Sequence, residues 1–292
     1  MKPVAFEYCR PDTVEEALEL LKEFGSDASI ISGGLSLGAM LNMRLVRPKA
    51  LIDINGIDEL GNFDAGDATI QTGTLIRQAG AMAMPALMSG VPLLAKALPH
   101  AGHYQTRSRG TLGGSVAHAD PSAEIPLTLV TLSGAVTLRS PGGSREVPAR
   151  EFFQGLLTTD RRADELVTGL TWPIRRGQTG YAFEELAQRH GDFAIAAVAV
   201  EATVAGDGTI EDLSVGLGGI EDRPFVAATA GFVGKPANEA TASDIANTIA
   251  EVVDPMVDLQ ANEDYRRQLV RVLATRTLTA AFDDATGQQE AA

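Results

Sequence analysis

A mixed helix-and-strand fold built from two or three sub-domains is predicted by three observations. The 292 residues are enough for more than one substantial core, with no metal or disulfide staple required. Residues 11–54 alternate between helical and extended patterns. Beyond residues 173–179, where the composition changes, long strands come first and helices last, the order of a segregated sheet-and-helix unit.

Residues 11–25 form the clearest helix. Thr13 and Glu16 make a capping box, Ala17, Leu18, Leu21 and Phe24 share one face, and Gly25 closes it. Residues 28–32 then read as a buried strand, 37–45 as a short helix ending before Pro48, and 50–54 as another strand. A hairpin over 62–72 turns at Ala65-Gly66-Asp67, and Met- and Ala-rich helical patterns follow over 75–87 and 93–98. Asp120 followed by Pro121 is a helix start, with Asp120 as N-cap, although Pro126 marks a kink or the true beginning. Residues 135–139 and 145–148 pair around Pro141-Gly142-Gly143, and 165–172 is a further strand. After the boundary come strands at 181–186, 193–205 and 209–217, the last two joined by Gly206-Asp207-Gly208. A helix over 262–282 carries Tyr265, Leu269, Leu273 and Leu278 at helical spacing.

The composition excludes several functions. A net charge of −14 argues against nucleic acid as a partner, because that affinity comes largely from basic side chains meeting phosphates. No run approaches a membrane span and no signal pattern opens the chain, so a cytoplasmic protein is expected. The single cysteine, Cys9, can form no internal disulfide. Gly-x-Ser-x-Gly is missing, as is a P-loop Lys-Ser/Thr after the glycines, and the N-terminal unit lacks the Gly-x-Gly-x-x-Gly of a nicotinamide dinucleotide fold. His100 and His103 have metal-like spacing but no third ligand nearby, so no metal site is assigned. No catalytic acid, base or nucleophile is assigned either.

Two glycine-rich stretches remain. Ser32-Gly33-Gly34-Leu35-Ser36 follows the strand at 28–32, and Gly110-Thr111-Leu112-Gly113-Gly114-Ser115 lies about eighty residues later. Their glycines let backbone amides approach a bulky anion, and the hydroxyls of Thr111 and Ser115 add donors. Asp120 suits a ligand hydroxyl better than a phosphate. The residues point to a diphosphate-bearing cofactor without identifying it.

Both stretches, the second running on through Val116-Ala117-His118-Ala119-Asp120-Pro121, are similar to the FAD-binding medium subunit of the molybdenum hydroxylases. That family includes the flavoprotein subunits of carbon monoxide, xanthine, quinoline and nicotine-type dehydrogenases. Gly191-Asp192-Phe193-Ala194 and the region 258–278 extend the resemblance over nearly the whole chain in the same order. It implies an α+β fold of the vanillyl-alcohol-oxidase (PCMH) type: FAD-binding portions at 1–57 and 58–176, then a C-terminal domain at 177–286 with a three-stranded antiparallel sheet and helices. A disordered tail is expected at 287–292. By position, Ser32, Gly33, Gly34, Leu35 and Ser36, with Thr111, Leu112, Gly113, Gly114 and Ser115, hold the pyrophosphate. Asp120 contacts ribityl or ribose hydroxyls, and Asp192 and Phe193 lie near the isoalloxazine.

The function the resemblance implies is electron transfer. FAD accepts electrons from [2Fe-2S] clusters of a small partner subunit and passes them to an external acceptor, while substrate is oxidised at a molybdopterin on a large partner subunit. The alternatives are a stand-alone flavin oxidoreductase of the same fold and a scaffold subunit that has lost FAD. One departure stands out: many relatives have lysine where this sequence has Glu185, beside Glu184. Facing the ring, Glu185 disfavours an anionic reduced flavin and lowers its potential; the plain alternative is that both glutamates point to solvent.

Overall fold

The computed structural model describes residues 2–175 and 177–287. It opens with β1 (Glu7–Cys9), α1 (Val14–Phe24), β2 (Ala28–Ile31), α2 (Leu35–Met43) and β3 (Ala50–Asp53). The strands form a parallel sheet in the order β1-β3-β2. Thr13 caps α1 by accepting from Glu16 N–H, and Glu16 reaches back to Asp12 N–H at 2.8 Å, one residue before the expected partner. Such a cap contributes about 1 kcal/mol. Val14, Ala17, Leu18 and Leu21 are buried against Ile52, Ile54, Ile57 and Leu60.

The next part is β4 (Phe63–Ala65) and β5 (Thr69–Gly73), the short helices α3 (Gln78–Met82), α4 (Pro85–Gly90), α5 (Pro92–Ala97) and α6 (Tyr104–Arg109), then α7 (Leu112–His118) and α8 (Glu124–Thr131). It continues through β6 (Ala135–Ser140), β7 (Gly143–Pro148), α9 (Ala149–Phe152), β8 (Phe153–Gly155), β9 (Thr158–Thr159) and β10 (Leu166–Pro173). An antiparallel sheet of order β4-β5-β10-β6-β7 carries this region. Both expected hairpins form, and buried Trp172 donates from its indole to Thr72 Oγ1 at 2.9 Å.

Three details depart from the sequence reading. The helical pattern over 75–87 is split at Pro85, which starts a new helix at its first position. The glycine stretch at 110–115 is not all loop, since Leu112, Gly113 and Gly114 make the first turn of α7. Asp120 caps no helix: its Oδ1 accepts from Ser122 N–H at 2.9 Å in a turn, and α8 begins at Glu124. Pro126 then falls in the first helical turn, where its missing N–H costs no hydrogen bond.

The last part holds β11 (Thr179–Ala187), β12 (Ala194–Val204), β13 (Ile210–Gly218), β14 (Phe225–Val226), α10 (Glu239–Val252) and α11 (Glu263–Thr286). The sheet is antiparallel in the order β11-β12-β13-β14, the fourth strand being a two-residue addition to the expected three. α8 packs on one face of β12 and α11 on the other, so the Ala194–Val204 strand is apolar almost throughout instead of alternating. Gly180 allows this packing, because a Cβ there would lie 2.0 Å from Ala281 O in α11.

Buried Arg266 in α11 donates to the carbonyls of Ile195 and Gly219 and pairs with Asp258 Oδ2 at 2.6 Å. Gly219 N–H in turn donates to Pro121 O at 2.8 Å, on the turn between α7 and α8. Gly287 caps α11, and the rest of the expected tail, 288–292, lies outside the described residues. Among the described residues no helix is long and apolar enough to cross a membrane.

Candidate functional site

The two glycine stretches meet. A Cβ on Gly33 would sit 2.5 Å from Arg109 O and 2.9 Å from Gly110 Cα, so main chain rests on main chain there. Ser32 Oγ and Thr111 Oγ1 are 3.2 Å apart, and a Cβ on Gly114 would lie within 2.7 Å of both hydroxyls. The backbone brings together two segments some eighty residues apart, at contacts that only glycine permits.

Asn55 and Arg77 brace this junction from outside. Asn55 donates from Nδ2 to Ser32 O at 2.8 Å and to Asp53 Oδ1 at 2.5 Å. Arg77 donates to Asn55 Oδ1 at 2.5 Å and to Arg109 O, so a single guanidinium ties the first stretch to the second. Burial and nearby Arg109 hold Arg77 below its ordinary range. Neither residue carries a motif, and sequence reasoning missed both.

The two helix starts differ. In α7, Leu112 and Gly113 N–H donate to Ile76 O and Thr74 O at 2.9 and 3.1 Å, Gly114 N–H donates to Thr111 Oγ1 at 2.9 Å, and Ser115 N–H to Thr111 O at 3.2 Å. Those amides are already engaged, which leaves hydroxyls as the donors of this stretch. α2 starts from Gly34 in the left-handed region, φ 73°, and no described side chain caps it. The first-turn amides of a helix have no partner within it, so Leu35, Ser36 and Leu37 offer N–H groups at a positive helix end.

α7, with seven residues, leads roughly 10 Å away from this junction to a second group of polar residues. Asp120 lies just past its end, and the 121–123 turn rests on the last part of the chain: a Cβ on Gly219 would meet Ser122 Oγ at 3.2 Å and Ala194 O at 2.8 Å. Glu124, the first residue of α8, is buried and pushed up to about 8, by burial first and then by Glu185 and Asp120, against its own backbone hydrogen bond and His100. Burial thus favours its neutral form, and sequence reasoning passed over it. The available signal was a lone acid at the head of the run Glu124-Ile125-Pro126-Leu127-Thr128-Leu129-Val130-Thr131, all of it buried.

Asp192 and Phe193 lie at the same end. Asp192 turns back on Arg189, with Oδ2 3.0 Å from Nε, and Phe193 is 57% exposed. Gly191 at φ 85° fits this turn onto His103, whose Nδ1 would be 2.1 Å from an added Cβ. Glu185 does not point to solvent, its side chain being 5% exposed and 3.4 Å from His100 Nδ1, whereas Glu184 pairs with Arg276 at 2.6 Å. Among the described residues no group of His, Cys, Asp and Glu is arranged to hold a metal ion.

Residues 4–175 match the model of the FAD binding domain in molybdopterin dehydrogenase, and residues 181–281 that of the CO dehydrogenase flavoprotein C-terminal domain. The chain is 33% identical to caffeine dehydrogenase subunit beta of Pseudomonas sp. (strain CBB1), over 97% of each. Among solved structures, carbon monoxide dehydrogenase from Hydrogenophaga pseudoflava superposes with a TM-score of 0.94 at 32% identity, over 97% of this chain and 99% of that one. Quinoline 2-oxidoreductase from Pseudomonas putida 86 gives 0.93 at 33% identity, over 98% and 99%.

Proposed function

The chain belongs to the family of FAD-binding subunits of molybdopterin dehydrogenases, and from that membership we propose that it carries FAD as the electron-transfer subunit of a multi-subunit molybdenum hydroxylase. One partner supplies [2Fe-2S] clusters and a larger one the molybdopterin where substrate is oxidised; an external acceptor takes the electrons onward. When bound, FAD passes electrons singly or in pairs, which suits a relay between iron-sulfur clusters and that acceptor.

The observation that carries this reading is the uncapped start of α2 facing a junction of glycines and hydroxyls. It fits a diphosphate. Leu35 and Ser36 would donate main-chain N–H groups, held in place by the Gly33-Gly34 turn, and Ser32, Thr111 and Ser115 would donate hydroxyls. Leu112, Gly113 and Gly114 would contribute shape rather than donors. Asp120, with one oxygen engaged by Ser122, keeps the other for a ribityl or ribose hydroxyl, and neutral Glu124 can donate to one. Asp192 and Phe193 would border the ring.

The test is the visible spectrum of the purified chain and identification of any released chromophore. FAD at about one per chain is expected; a colourless chain that also takes up no added FAD, alone or with its partner subunits, would remove the reading. The Arg77 brace gives a second expected outcome. Arg77→Ala removes two hydrogen bonds from a charged donor, each contributing about 1.5–3 kcal/mol. FAD affinity in fluorescence titration should fall by at least roughly tenfold, with Arg77→Lys recovering only part because it cannot span both acceptors.

A further inference from the structure

His100 and Glu185 form an acid-base pair that the junction does not need. His100 follows α5, and Glu185 lies near the end of β11 with Phe183 on the same strand face. Glu185 Oε1 is 3.4 Å from His100 Nδ1, while its Oε2 is buried with no hydrogen-bond partner. A buried, unpartnered carboxylate oxygen is uncommon in a folded chain and calls for an explanation. The imidazole packs on Phe183 at 5.1 Å between ring centres and is 35% exposed, so it is fixed in place yet open on one side. Glu124 of α8 and Glu185 bear electrostatically on each other and on His100, which places the pair with the polar group beyond α7.

We propose that His100 and Glu185 are a proton-holding pair on the wall of the flavin site, taking up one proton when the flavin is reduced. The inference rests on the FAD reading above. Two electrons from the iron-sulfur partner and one proton from solvent leave a reduced ring with one added negative charge. At a pH above the imidazole's value in the oxidised chain, the second proton binds the imidazole, the pair passes from a net charge of −1 to zero, and two electrons enter with two protons. His100 is already held above the ordinary histidine range, chiefly by its hydrogen bond to Glu185 and against burial. The other groups bearing on it are Glu124 on α8, Glu184 on the opposite face of β11, and His190, whose ring centre is 6.3 Å away. In this reading Glu185 is one half of a pair and not an isolated charge. Its charge is offset whenever His100 is protonated.

The test is the His100 imidazole pKa, followed by NMR in the FAD-loaded full chain, oxidised and then dithionite-reduced, with His100→Gln assigning the signal. The expected result is a proton affinity about tenfold higher in the reduced chain, which by reciprocal linkage raises the two-electron potential by about 30 mV. Glu185→Gln should lower the imidazole pKa in both states. Equal pKa values in the two states, with flavin bound, would overturn the inference and leave the FAD reading standing. Failure to load FAD, alone and with its partner subunits, would remove that reading and the inference with it.

Discussion

Gly113→Ala yields a chain that retains no flavin and melts well below the parent. An alanine Cβ at this position would lie 1.7 Å from Thr74 Oγ1 and 2.6 Å from Thr74 Cα. No rotamer change relieves an overlap with main chain, so α7 must move off the 74–76 segment. Its movement breaks the hydrogen bonds from Leu112 and Gly113 to Ile76 O and Thr74 O and shifts Thr111 away from Ser32. Overpacking of this kind costs up to about 3 kcal/mol, equivalent to a fall of roughly 6–12 °C in Tm. The same change at Gly38, where a Cβ meets nothing within 4 Å, should keep flavin and gain about 0.5–1 kcal/mol from the helix preference of alanine. Flavin content and thermal melting of the two variants check this, and a flavin-replete Gly113→Ala chain would show that α7 does not shape the site.

The second large effect depends on pH. Glu124 is pushed up from 4.5 to about 8 in the folded chain, so its neutral form is favoured there. Below the unfolded value both states are protonated and its contribution is fully present. Between pH 4.5 and about 8 the unfolded chain ionises first, and that stability is lost as pH rises through the folded value. At about 1.36 kcal/mol per unit the loss has a ceiling near 5 kcal/mol, and relaxation with water entry reduces it to roughly 2 kcal/mol. Glu124→Gln should therefore raise the Tm of the flavin-free chain by about 4–8 °C at pH 9 and leave it near the parent at pH 4. A gain of equal size at both pH values would mean that the substitution acts through packing instead of charge.

What the sequence disclosed was local. The cap of α1, its apolar spacing and its closing Gly25 lie within one window, and each is found where the pattern placed it. The long strands and the final helix were legible for the same reason, with Asn262 capping α11. The start of α7 was less so, because glycines argue for a loop. Helix starts there because Thr111 caps it and the carbonyls of Ile76 and Thr74 accept its first amides. Thr74 also lies so close that only glycine fits, and both Ile76 and Thr74 are nearly forty positions away. The Gly-rich stretches announced a close approach, but nothing in them showed that most α7 amides are already used. Arg77 and His100 acquire their side-chain partners only through tertiary contact, as Asn55 acquires Ser32 and Arg77. Glu184 and Glu185 were half legible, since a strand sends neighbours to opposite faces; which face meets Arg276 and which meets His100 depends on the helices above and below.

The guanidinium of Arg266 bears on how this protein can be recombined with its relatives. Through Gly219 it is linked to the carbonyl of Pro121, one residue beyond Asp120. A chimera joined between the two matched segments, 4–175 and 181–281, would thus graft half of a shared joint. The donor of the second half must bring a matching main-chain turn as well as a matching helix. Exchange of cofactor environments between such proteins is accordingly simplest when both segments travel together, and a lineage that replaced only one would be selecting at the splice before it selected at the flavin.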